Sequence, residues 1–147
     1  MRTITMATEQ PLCLLALDGG GVRGVSELLI LSELMLRIKR NNELQSTPKP
    51  CEIFDLICGT STGGLAAILL GRLRLSVDEA IDEYRTITEK VFSKPKPYPS
   101  EGCYSATTLE EAMKDVIQRY GTPKGSSGKA DAELKFLEDS SKGICKV

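Results

Sequence analysis

At 147 residues, with 19 basic against 20 acidic side chains and no histidine, the chain has room for one soluble globular domain but lacks the parts for a Ser-His-Asp triad. Near-balanced charge gives no surface for nucleic acid and no polybasic membrane anchor. The lack of any 18-residue apolar run excludes a spanning helix, so a membrane would be met from the side.

Five cysteines (Cys13, Cys51, Cys58, Cys103 and Cys145), with no C-x-x-C pair and no histidine, supply no metal site and suit a reducing, cytoplasmic setting. Residues 1–11 lack an apolar signal-type stretch and read as a short flexible leader, leaving residues 12–147 as the domain. The continuous apolar run at residues 12–17 predicts a strand buried on both faces, as in a parallel sheet. Asp18-Gly19-Gly20-Gly21-Val22-Arg23-Gly24 follows. Apolar residues at 25, 28, 29, 31, 34, 35 and 38 then set the period of a helix, with Ile30 and Leu36 adding burial on a second side. Residues 41–50 are polar and contain proline, which predicts a loop.

Residues 54–58 predict a second strand, Gly59-Thr60-Ser61-Thr62-Gly63 a tight turn, and residues 65–70 a buried helix. Two strands joined through a helix imply a parallel pair in an α/β sheet, with both following loops at its carboxyl edge. Ser76-Val77-Asp78-Glu79 is a capping box, opening a helix whose apolar or aromatic positions 77, 80, 81, 84, 87 and 91 form a core stripe. Pro95, Pro97 and Pro99 make residues 94–100 an extended connector that, with Cys103 and Tyr104, could also line the entrance to a site. Thr108-Leu109-Glu110-Glu111 predicts another capped helix stopped by Gly121, residues 122–131 a mobile Gly/Ser/Lys-rich segment, and residues 144–147 the opening of a further core strand.

The two loops carry the chemistry. A G-x-S-x-G between a strand and a helix is the pattern of a nucleophile elbow, in which glycines at 59 and 63 make room for a turn that strains Ser61 and exposes its hydroxyl. The same letters also fit a plain turn between core elements. Four glycines between positions 19 and 24 leave amides open at the start of a helix, a cradle for an anion. Beside an attacking serine that anion is the oxyanion of a tetrahedral intermediate, for which one donor contributes about 2.7–4 kcal/mol. Arg23 either adds positive charge beside that oxyanion or ties the loop to a nearby carboxylate, and its planar fork favours the tie. Gly19, Gly21 and Gly24 also satisfy the dinucleotide pattern G-x-G-x-x-G. Against that reading, Asn41-Asn42-Glu43 is a loop where the ribose-binding acid should end a strand, and Val25 replaces the lysine of a Walker loop.

DGGGVRG at 18–24 followed by GTSTG at 59–63, within FDLICGTSTGGLAA, resembles the patatin-like phospholipase family, which pairs an oxyanion loop D-G-G-G-x-R-G with a G-x-S-x-G elbow. The resemblance is clear over residues 12–92. It implies a lipid acyl hydrolase using a Ser-Asp dyad, without metal or organic cofactor, on a three-layer α/β/α fold with a mainly parallel sheet. It implies Ser61 as the nucleophile, Gly59 and Gly63 as the elbow glycines, and Gly19, Gly20, Gly21, Val22, Arg23 and Gly24 as the oxyanion loop, with the backbone of Gly20, Gly21 and Val22 as donors. The implied substrates are phospholipids or acylglycerols reached by peripheral contact with a membrane surface. No nucleic-acid partner is implied, and the oligomeric state is left open.

The family's dyad aspartate sits in a D-G-G or D-G-A well downstream of the elbow, whereas the only D-G here is Asp18-Gly19, within the oxyanion loop. Asp55 lies in the strand before Ser61, and Asp18 is expected to fix its turn by hydrogen bonding. The chain is therefore expected to be the N-terminal part of a patatin-like domain, incomplete at its C-terminus and impaired as a catalyst. The alternatives are a non-catalytic lipid-binding remnant and a nucleotide-binding α/β module.

Overall fold

The computed structural model describes residues 11–93, 106–120 and 145–147. Strands β1 (Leu14–Leu17) and β2 (Leu56–Gly59) pair in parallel, with Leu14 opposite Leu56 and Leu17 opposite Gly59. On the other side of β2, Lys146 donates its N–H to the Asp55 carbonyl and accepts from the Ile57 N–H, both at 2.9 Å, so residues 145–147 run parallel to β2 as the expected strand opening. The crossover from β1 to β2 passes through a 3₁₀ turn (Gly21–Gly24), α1 (Val25–Asn41) and the single-turn α2 (Pro50–Ile53). After β2 come α3 (Thr62–Ala67), which runs on as a π-helical turn (Ile68–Arg72), then α4 (Val77–Phe92) and α5 (Ala106–Tyr120). This is the expected α/β class with a parallel sheet.

Helix α4 is the hub. Its predicted stripe (Val77, Ala80, Ile81, Tyr84, Ile87, Val91) is buried throughout, against Leu28, Leu31 and Met35 of α1 and Ala112 and Val116 of α5. The capping box at its start forms as predicted: Ser76 Oγ accepts from the Glu79 N–H at 3.3 Å, and the Glu79 carboxylate accepts from the Ser76 N–H at 2.8 Å. A buried carboxylate fastens α5 to α4. Glu83 accepts both prongs of the Arg119 guanidinium, the Nη2 prong at 2.8 Å, and also the Tyr120 hydroxyl at 3.1 Å. The Glu83 carboxylate in turn raises the pKa of Arg119 above its ordinary value.

Burial departs from the sequence reading in the strands and in α1. Leu17 and Ile57 face the core and Leu15 packs against it, whereas Leu12 and Leu14 are 74% and 59% exposed, so the strands are covered on one face, not both. Likewise Leu29, Ile30, Leu34 and Leu36 of α1 are exposed, because α4 covers a single side of that helix. Pro50 opens a helix instead of closing a loop. Proline suits the first helical position, and the Glu52 carboxylate reaches back to the Lys49 N–H at 2.9 Å. Thr108 lies inside α5 and does not cap it, since Ala106, a strong helix former, and Thr107 are already helical ahead of it. The leader up to residue 10, the proline connector with Cys103 and Tyr104, Gly121 and the 122–131 segment lie outside the described residues.

Candidate active site

In-register parallel pairing brings the carboxyl ends of β1 and β2 level, and the Thr60 N–H bonds the Leu17 carbonyl at 3.1 Å to add one more rung. The glycine loop and the Ser61 turn therefore leave the same sheet edge side by side. Ser61 takes φ 55° and ψ −123°, a region in which a side chain costs about 1–3 kcal/mol. The turn is held by the start of α3, where the Gly63 N–H bonds the Thr60 carbonyl at 2.9 Å and the Gly64 N–H bonds the Ser61 carbonyl at 3.0 Å. A Cβ on Gly59 would overlap the Gly63 peptide, and one on Gly63 would overlap the carbonyl oxygens of Leu17 and Asp18. The Ser61 hydroxyl is exposed, does not cap α3, and has no hydrogen-bond partner among the described residues. Gly19 lies against it. A Cβ built on Gly19 would stand 3.4 Å from Ser61 Oγ, which puts the Gly19 Cα within about 5 Å of that oxygen.

The amides of Gly20 and Gly21, expected to stand open, are engaged. Both donate to Thr62 Oγ1 at 3.1 Å. On the other side of Gly21, the Tyr84 O–H donates to the Gly21 carbonyl at 2.7 Å. Gly24 packs directly on Tyr84, so that a Cβ there would overlap the phenol. Burial raises the Tyr84 pKa; the neighbouring Thr62 hydroxyl works against this and the charge of Glu27 adds to it. By period alone Tyr84 belongs to the core stripe of α4, and nothing local marks Thr62 as more than a turn residue. The available signal was a hydroxyl-bearing aromatic in an otherwise aliphatic stripe, since a buried phenol needs a partner.

Arg23 is exposed and forms no ion pair among the described residues, so the expected carboxylate tie is not made there; Thr62 and Tyr84 hold the loop instead. Asp18 is also exposed, with no side-chain hydrogen bond among the described residues. The turn is closed by the Arg23 N–H bonding the Gly20 carbonyl at 3.1 Å, not by Asp18 as expected. Asp55 is committed elsewhere: its Oδ2 accepts from the Cys13 N–H at 2.8 Å, tying the start of β1 to β2. No carboxylate hydrogen-bonds Ser61 among the described residues, nor do they contain a His, Cys, Asp or Glu cluster able to hold a metal.

Beside Ser61 lies a cleft of about 360 Å³ with a mainly apolar wall. Leu65 of α3, Ile87 and Val91 of α4 and Leu109 of α5 form that wall, and Ser61 and Thr62 contribute hydroxyls. The Glu83–Arg119 pair therefore also secures one side of the cleft by holding α5 in place. Among the described residues no helix is long and apolar enough to cross a membrane.

The family model for patatin-like phospholipases matches residues 15–139. Phospholipase A I of Arabidopsis thaliana is 33% identical over 113 residues, covering 76% of this chain and 8% of that protein. Calcium-independent phospholipase A2-gamma of Rattus norvegicus is 35% identical over 111 residues, covering 71% of this chain and 13% of that protein. Patatin-like phospholipase 1 of Plasmodium falciparum is 34% identical over 122 residues, covering 82% of this chain and 18% of that protein. The chain thus spans only a small part of the length of these relatives, and no solved structure matches it. The matched stretch runs from β1 past α5 and takes in both the glycine loop and the Ser61 turn, and on that match the chain belongs to the patatin-like phospholipase family.

Proposed function

We propose that this chain is a serine acyl hydrolase cleaving ester bonds of phospholipids or acylglycerols, with Ser61 as nucleophile and the glycine loop as its oxyanion site. The observation that carries the reading is Ser61 itself. It is held at φ 55° with an exposed hydroxyl that bonds to nothing among the described residues, beside Gly19 and an apolar cleft. Strain kept at an uncommitted hydroxyl serves nucleophilic attack and does nothing for packing. Phospholipids are named as substrates because the matched relatives carry phospholipase names.

In the proposed reaction Ser61 Oγ attacks the ester carbonyl while its proton passes to a base, and the carbonyl oxygen becomes an oxyanion facing the loop amides. Collapse expels the glycerol-side alcohol, which takes up the proton, and leaves the acyl group on Oγ. Water then adds to the acyl-enzyme, releasing the fatty acid and restoring the serine. In the family's Ser-Asp dyad the base is an aspartate. With no carboxylate bonded to Ser61 among the described residues, the 147-residue chain is expected to be slow. The scale is that of a serine triad lacking one member, about 10³–10⁴-fold over water. Non-catalytic lipid binding is the second reading, favoured by the same lack of a bonded carboxylate.

The test is turnover of p-nitrophenyl butyrate and labelling by a fluorophosphonate probe, comparing the 147-residue protein with Ser61→Ala. Turnover and labelling that both depend on Ser61 support the hydrolase. Equal turnover in the two proteins removes Ser61 from the mechanism, and binding to phosphatidylcholine vesicles without labelling favours the second reading.

A further inference from the structure

We propose that Thr62 and Tyr84 are positioning residues for the oxyanion loop: Thr62 aims the amides of Gly20 and Gly21, and Tyr84 holds the Gly21 carbonyl. The inference rests on the acyl-hydrolase reading above. Two N–H groups converging on one oxygen is the arrangement a developing oxyanion requires, and in the resting chain Thr62 Oγ1 is the oxygen on which they converge, at 3.1 Å from each.

A hydroxyl has two lone pairs, and on Thr62 they face the two amides. Tyr84 works from the other side, donating its O–H to the Gly21 carbonyl at 2.7 Å. Gly21 is therefore held at both ends, its N–H by Thr62 and its carbonyl by Tyr84. It needs both ties, because it sits at φ 56° with nothing within 4 Å of where a Cβ would lie. A glycine with open space around it has no steric confinement and the greatest backbone freedom to lose.

Thr62 directly follows Ser61, so the attacking oxygen and the aim of the loop are set by adjacent residues of one turn. When the substrate carbonyl gains charge, its bonds to the amides become charge-assisted and outcompete the neutral threonine hydroxyl. The amides then shift from the oxygen of residue 62 to one attached through the carbon on residue 61, a small displacement within a loop already facing that way.

The test uses Thr62→Val, which keeps the shape and loses the hydroxyl, Thr62→Ser, which restores it, and Tyr84→Phe. On p-nitrophenyl butyrate, Thr62→Val is expected to lower kcat by about tenfold or more with KM within about twofold, and Thr62→Ser to stay within about threefold of wild type. Without substrate, the Gly20 and Gly21 amide protons are expected to exchange about tenfold faster in Thr62→Val and Tyr84→Phe than in wild type or Thr62→Ser, read by NMR. The proposal is overturned if Thr62→Val turns over at or above the wild-type rate, if Thr62→Ser is as slow as Thr62→Val, or if neither amide loses protection. Should Thr62→Val fail to fold, Tyr84→Phe carries both readouts. Loss of all Ser61-dependent turnover in wild type would sink the hydrolase reading and with it the kinetic half of this one. Amide exchange still decides separately whether Thr62 and Tyr84 hold the loop.

Discussion

Replacing Ser61 by glycine is expected to make the protein more stable while abolishing its esterase activity. At φ 55° and ψ −123° a residue with a Cβ carries strain of about 1–3 kcal/mol that glycine escapes. Against this, glycine loses about 0.5–1 kcal/mol more backbone entropy on folding. Removing the hydroxyl adds little, since it has no hydrogen-bond partner among the described residues. The balance favours Ser61→Gly by up to about 2.5 kcal/mol, and at its midpoint of about 1.2 kcal/mol the rise in Tm for a domain of this size is about 2–5 °C. Ser61→Ala keeps the Cβ and should melt close to wild type, which isolates the backbone contribution from loss of the hydroxyl. Thermal unfolding of the three proteins, followed by circular dichroism at one concentration and pH, makes the comparison. A Ser61→Gly protein melting at or below Ser61→Ala would refute the argument that strain is stored at this position. The expected result, stability gained as turnover is lost, is the trade-off of a residue held for chemistry.

Gly63→Ala would drive a methyl group into the carbonyl oxygens of Leu17 and Asp18, and is expected to lose more than about 3 kcal/mol in urea titration or to fail to fold. Gly20→Ala, whose Cβ would make only ordinary van der Waals contacts, with Arg23 Cβ at 3.6 Å and the Gly24 nitrogen at 3.7 Å among them, should fold. Arg119→Leu leaves the buried Glu83 carboxylate with Tyr120 alone. Because the Arg119 side chain is 42% exposed, the expected loss is about 1–3 kcal/mol, less than for a fully buried pair, and an unchanged urea midpoint would deny the pair its role in holding α5. Burial, opposed by Thr62 and reinforced by Glu27, raises the Tyr84 pKa, so the folded state favours the neutral phenol. That contribution is fully present below the unfolded tyrosine pKa of about 10 and is lost as pH rises through the higher folded value. The stability difference between wild type and Tyr84→Phe should therefore be constant from about pH 7 to 9.5 and shift against wild type above about pH 10. A difference that stays flat across that range would contradict the raised pKa.

The features that could be read from the sequence are those decided within a few residues. The Ser76–Glu79 box and the α4 stripe depend on neighbours three or four apart, and the glycines around Ser61 are demanded by the turn itself. The apolar residues on the second side of α1 misled because periodicity reports a face's character and not whether another element meets it. Pro50 ends a polar, loop-like stretch, yet Pro-x-Glu is also a recognisable helix opening, and that local signal prevails. Thr62 and Tyr84 went unseen for a different reason. Their partners Gly20 and Gly21 lie 41 to 63 positions away, and no local pattern encodes which hydroxyl a parallel crossover will bring beneath a loop. Arg23 shows the converse: a charge beside a glycine loop invites a partner, yet its exposure leaves it with none among the described residues.

The rung between Lys146 and the backbone of Asp55 and Ile57 closes about ninety positions of chain, whereas Cys13 and Asp55, which join β1 to β2, are 42 apart. Contacts of long sequence separation form late, so during refolding the β1–β2 pair and the serine bend between them should assemble before residues 145–147 dock. A contact made after the rate-limiting barrier affects escape from the native state more than arrival at it. Weakening that last rung would thus shorten the lifetime of the folded chain while leaving its speed of folding nearly untouched.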